Sequence, residues 1–184
     1  MRETVRLIAS WLVVLAAAAV ALKALDRLPS LLTGTPPGAR AYESIDRAER
    51  ALGARIWLPA FYPDTLAWPP SRIESFVGPH VWAVVHVVGR EDRGERLVLV
   101  ESMDEPAPPP ATLLPPVLVL QSSAVAIGTR QGVLSRVVTD EGRTLHEVWW
   151  VHGARRVMLR YDGAAEELLV IAQSLERTQS WPRQ

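Results

Sequence analysis

From Leu7 to Leu22 the chain reads LIASWLVVLAAAAVAL, with no charged residue. No other stretch constrains the molecule as strongly. Extended to Leu25 it takes in one charge, Lys23, whose long stem can snorkel to lipid headgroups. The nineteen residues from Leu7 to Leu25 make roughly 28 Å of helix at about 1.5 Å per residue, against a bilayer core of about 30 Å. The eight Leu, Ile and Val residues between Leu7 and Leu22 supply on the order of −2 to −5 kcal/mol of insertion free energy. The spacing predicts a retained transmembrane helix over Leu7–Leu25. Two other readings stand beside it. Arg2 and Arg6 with a small-x-small Ala19-Val20-Ala21 also fit a cleaved signal peptide, and a buried core helix is the third possibility. Arg2 and Arg6 on one flank face Lys23 and Arg27 on the other, so the positive-inside rule decides little. A short N-terminal tail before a folded domain suits the signal-anchor arrangement, with the N-terminus inside. The expectation is a single-pass protein of the bacterial cytoplasmic membrane, its C-terminal domain outside the cytoplasm.

Asp26 to Ala41 (DRLPSLLTGTPPGARA) is read as a linker, because Pro29, Pro36, Pro37 and two glycines resist regular structure. Residues 42–177 then form one α+β domain, long enough to bury a core, and 178–184 a tail. Twenty basic residues balance twenty acidic ones, so no basic footprint for nucleic acid is present. The chain has no cysteine, which removes disulfides, thiolate metal sites, a Cys nucleophile and a lipidated Cys anchor.

Within the domain, Ser44 to Leu52 reads as a short helix capped by Ser44 and stopped by Gly53, with Ile45, Ala48 and Leu52 on one face. Ile56 to Pro70 (IWLPAFYPDTLAWPP) carries four prolines, which predict a short edge strand followed by an extended loop. Val81–Val88 and Leu97–Glu101 flank a charged turn and pair as a hairpin. After the Pro106–Pro116 loop, Val117–Leu120 and Ser123–Ile127 are short strand candidates. Val133–Thr139 and Thr144–Val151 flank Asp140-Glu141-Gly142, and a turn at Gly153 leads to Val157–Tyr161. The last element is a helix over Ala164–Leu175, capped by Asp162, with Leu168, Ile171, Ala172 and Leu175 as its buried stripe. The strands are apolar on both faces. The second face must therefore be covered by the helices and proline loops, form a groove, or meet a partner.

The segments LPAFYPDTLAWPP, VWWVHG, VMLRY and AAEELLVIAQSL together resemble the DUF4367-type domain, over roughly Tyr42 to Arg177. The Trp150-x-x-Gly153 turn and the Glu167–Leu175 helix carry the resemblance best. It implies a domain on the outer side of a bacterial membrane, often after a single membrane helix. The implied fold is a curled antiparallel sheet, distantly similar to lipoprotein-carrier and RseB-like half-barrels. The family supplies no catalytic residues to carry over. Some members carry a cytoplasmic anti-sigma domain before the membrane helix. Only six residues precede Leu7 here, so an anti-sigma role is not expected.

His80, His86, His146 and His152 lie at no zinc-motif spacing, and the sequence has no GxSxG, Walker A or GxGxxG pattern. The reading is of a non-enzymatic protein with no catalytic residue, no metal and no cofactor. Its most expected role is that of a small accessory or regulatory subunit that binds a protein partner. The alternative is a module that holds lipid or another apolar ligand on its sheet. Adjacent Trp149 and Trp150 point to opposite faces of their strand. Trp150, which matches the Trp-x-x-Gly pattern of the resemblance, is expected beneath the terminal helix, against Leu168 and Ile171 or their neighbours. Trp149, on the wetter face with Glu147, is the first candidate for partner or ligand contact, with Trp68, Tyr62 and Trp82 as the others.

Overall fold

The computed structural model describes residues 38–92, 94–109 and 113–180. The expected transmembrane helix over Leu7–Leu25 and most of the linker lie outside them. Among the described residues no helix is long and apolar enough to cross a membrane. These residues form eight strands and two helices. In chain order they are β1 (Ala39–Tyr42), α1 (Ile45–Leu52), β2 (Arg72–Val77), β3 (Val81–Val88) and β4 (Glu95–Ser102). There follow β5 (Val117–Ile127), β6 (Arg130–Thr139), β7 (Thr144–His152), β8 (Arg155–Tyr161) and α2 (Ala165–Ser180). All strands join one antiparallel sheet in the order β1-β2-β3-β4-β8-β7-β6-β5. The fold class is α+β.

Strand parity explains the two apolar faces. Ala83, Val85 and Val87 of β3, Leu97 and Leu99 of β4, and Val157 and Leu159 of β8 turn to the first face. Both helices cover that face. Leu168, Ile171, Ala172 and Leu175 of α2 are all fully buried there, at the spacing that puts four residues on one helical stripe. Trp150 lies beneath them with no exposed surface, in the same cluster as Leu168 and Ile171, as the sequence predicts. Trp82, Val84, Val98, Val100 and Met158 turn to the second face. Ala107, Leu113 and Leu114 of the proline-rich connection between β4 and β5 cover part of it. Of the coverings anticipated, the helices took one face and the proline loop the other.

Helix α1 ends as its sequence dictates. The Ser44 hydroxyl accepts the Arg47 N–H at 3.3 Å, and Gly53 takes the left-handed conformation at φ 64. Ser44→Ala is expected to lower stability by about 1 kcal/mol. A thermal melt checks it, and an unchanged midpoint would show that the cap contributes nothing.

Several elements differ from the sequence expectation. Ile56–Pro70 holds no strand; Leu66 makes an isolated bridge to Gly89, and the prolines keep the rest from pairing. Ala39–Ala41, expected as linker, instead belong to β1, which pairs with the unanticipated β2. Val117–Leu120 and Ser123–Ile127 are one continuous strand, with a bulge between Val119 and Gln121 absorbing the break. Asp162 is not the cap of α2. Its carboxylate pairs with Arg143, and the first helical turn closes on the Ala164 carbonyl.

Candidate functional site

The outer side of β5 is an open sheet edge. Only β6 pairs with this strand, so one row of its backbone N–H and C=O groups has no strand partner among the described residues. Its sequence, VLVLQSSAVAI, contains no charge and no proline. Leu118, Val119 and Leu120 are 67%, 53% and 52% exposed, three adjacent large apolar side chains at that edge. Proteins ordinarily blunt such an edge with charges, prolines or short strands. The opposite edge follows that habit, since β1 has four residues and includes the exposed Arg40. On β5 only the bulge interrupts the strand.

The four aromatic candidates do not form one site. Trp82 is 2% exposed and is part of the second-face core. Tyr62 and Trp68 stack on each other, ring centroids 4.5 Å apart, within the irregular segment before β2. Burial pushes the Tyr62 phenol well above its ordinary range, while Trp68 keeps 46% of its surface exposed. Trp149 is half-buried on the second face, with the Arg156 guanidinium 3.9 Å above its ring centroid.

Two charged clusters pin the sheet. Glu101 is fully buried on the first face, accepting the Trp57 N–H at 3.0 Å and an Arg155 guanidinium N–H. Arg155 also donates to the Arg55 carbonyl and lies over the Trp57 ring, whose edge meets His152. These contacts fasten the segment after α1 to β4 and β8. On the second face His86 sits between Glu95, bonded to its Nδ1, and Glu74, 3.7 Å from its Nε2. The hydrogen bond with His86 holds the Glu95 carboxyl below its ordinary value, against the opposing effect of burial. Among the described residues no group of three or more His, Asp or Glu is arranged to hold a metal ion.

Sequence reasoning missed the β5 edge. Val117–Leu120 reads only as a short apolar strand candidate, and apolar residues by themselves do not report exposure. Its position at the end of the sheet follows from the strand order, which no local pattern encodes. The absence of charge along the strand was the one available signal.

No family model matches this chain, and no curated protein and no solved structure matches it either.

Proposed function

We infer that this is a non-enzymatic binding domain that recruits a strand of a partner protein to the open edge of β5. It acts as an accessory or regulatory subunit held at the outer face of a bacterial membrane by Leu7–Leu25. One observation carries the reading: a charge-free, eleven-residue edge strand with Leu118, Val119 and Leu120 facing solvent. An added strand gains main-chain hydrogen bonds along the edge, and alternate side chains find apolar neighbours on either face. Fully burying a Leu or Val contributes about 1.5–3 kcal/mol over leaving it exposed. These three are already half-covered, so together they offer roughly 3 kcal/mol toward binding. The partner strand is expected to be uncharged, since no residue of β5 would compensate a charge placed beside it.

The apolar-ligand alternative has less support. The first face is filled by α2 together with Ala48, Ile56 and Leu66, and the clefts found elsewhere are lined largely by charges and prolines.

A photo-crosslinking amino acid at Val119, in native membranes, tests the reading. The expected product is one stoichiometric protein adduct, mapped by mass spectrometry to a strand of the partner. It should vanish in a Leu118→Glu, Leu120→Glu double variant whose unfolding free energy changes by no more than about 0.5 kcal/mol per site. Adducts to lipid alone would favour the alternative reading. Adducts that persist in the double variant would remove β5 as the interface.

A further inference from the structure

We propose that the cleft between Trp149 and the proline-rich connection binds a carboxylate carried on a short apolar stem. The inference is independent of β5. The cleft, of about 270 Å³, lies on the second face, with Trp149, Met158, Leu114, Arg156, Arg160 and Glu147 among its lining residues.

The argument begins with the charges. Arg160 is committed: its Nε and Nη2 donate to Glu147 Oε2 at 3.1 and 2.9 Å, and its Nη1 donates to the Pro115 carbonyl at 2.9 Å. Glu147 and Arg160 therefore neutralise each other at the floor of the cleft. Arg156 is the remaining charge. The backbone N–H of Arg156 donates to the Ser102 hydroxyl at 2.7 Å, which fixes the residue in β8 beside the rim. Its guanidinium lies over the Trp149 indole, and no described residue makes an ion pair or hydrogen bond with it. Burial lowers its pKa, with the charge of Glu147 acting in the opposite direction.

The geometry of the group then selects the ligand. A guanidinium carries its N–H donors in its own plane. The indole covers one face of that plane and leaves the in-plane fork available. Such a fork matches the two oxygens of a carboxylate, and a stacked arginine is already held for the interaction, so less side-chain freedom is lost on binding. The walls favour a carboxylate over a more strongly hydrated phosphate, since Met158, Leu114 and the prolines offer hydrocarbon. The size sets the scale. Sites for drug-sized ligands run from about 300 to 1,000 Å³, so this cleft suits a group about the size of one residue. Two sources share that chemistry: the C-terminal residue of a peptide, and a small free organic acid.

The test uses the full-length chain labelled with ¹⁵N. Its seven tryptophans give separate indole N–H signals, with Trp149 assigned through Trp149→Phe. Three probes are titrated: N-acetyl-leucine, a short peptide ending in leucine with a free carboxylate, and the same peptide as its C-terminal amide. Saturable movement of the Trp149 signal is expected with both acids, and binding about tenfold weaker or worse with the amide, as for a lost charged hydrogen bond. Arg156→Gln is expected to weaken the acids by a similar factor. Arg156→Lys, which keeps the charge and loses the fork, should fall between. The unmoved Trp150 signal, from the buried core, reports that each variant is folded. If the peptide acid binds more tightly than N-acetyl-leucine, the site reads a chain terminus; equal affinity identifies a small-acid site. The Leu118→Glu, Leu120→Glu variant should bind the acids unchanged. The proposal is overturned if acid and amide bind alike, if inorganic phosphate displaces the acids at equal concentration, or if neither acid moves Trp149.

Discussion

Replacing Trp150 with alanine is expected to cost about 3–5 kcal/mol, the range for truncating a buried tryptophan. That is a large share of a domain's roughly 5–15 kcal/mol of stability. The side chain has no exposed surface and sits where β7 meets α2, in one cluster with Leu168, Ile171, Val148 and Val157. Truncation leaves a void that two sheet strands and a helix would have to close together. Its neighbour Trp149 provides the control. That ring is half-buried at the margin of the other face, with Arg156 stacked on it, so Trp149→Ala is expected to cost about 1 kcal/mol. Urea midpoints of the two variants check the pair. A larger loss for Trp149→Ala would mean that the second face, not the first, holds the dominant core.

Arg155→Ala is expected to cost about 3 kcal/mol at neutral pH, because it removes the partner of a buried carboxylate. Glu101 has no exposed surface, while Arg155 is 18% exposed, so water can replace only part of the lost pairing. Burial raises the Glu101 carboxyl above its ordinary value, and the Trp57 N–H and Arg155 act in the opposite direction. A carboxyl raised in the folded state binds its proton more tightly there than in the unfolded chain. It therefore favours folding at acid pH and loses stability as pH rises from the unfolded carboxyl value through the folded one. Without Arg155 the folded value moves higher still. The deficit of Arg155→Ala relative to the parent should be largest at neutral pH and shrink in acid as Glu101 takes up its proton. Unfolding of parent and variant in urea across that range tests this. A deficit independent of pH would place the effect in lost packing on Trp57 instead.

What could be read from the sequence was what local chemistry writes. Val81–Val88 is a strand with the same ends in both, because five valines and a tryptophan in eight residues leave little alternative. Strand parity put the two tryptophans on opposite faces, and the Trp-x-x-Gly pattern of the resemblance chose Trp150 for the helix side, where it lies. β2 was not legible, since RIESFV mixes two charges with a serine and still buries Glu74 and Ser75. Their burial is made tolerable in part by groups outside the strand: Tyr42 bonded to Ser75, and His86 beside Glu74, which also pairs with Arg72 of its own strand. β1 was hidden by the prolines and glycines just before it. The turn at Gly153 that sets β8 beside β7 was legible, but the stacking of Arg156 on Trp149 is a diagonal side-chain contact that no local pattern specifies. The exposure of β5 belongs to the strand order, at which the absence of charge along the strand only hints.

The strand order has a consequence for how the chain becomes a protein. β8 is the last of the described strands in chain order, yet it lies in the middle of the sheet, bonded to β4 on one side and β7 on the other. Until residue 161 is available, β1–β4 and β5–β7 are two separate half-sheets, and α2 has not yet been synthesised to cover them. Leu97, Leu99, Val148 and Trp150 then face water on open edges and faces. Pairing strands so distant in sequence is slow, because loop closure precedes the contacts that repay it. Nascent chains cut short before β8 are therefore expected to hold at most two unjoined half-sheets, and to be the species that quality control must intercept.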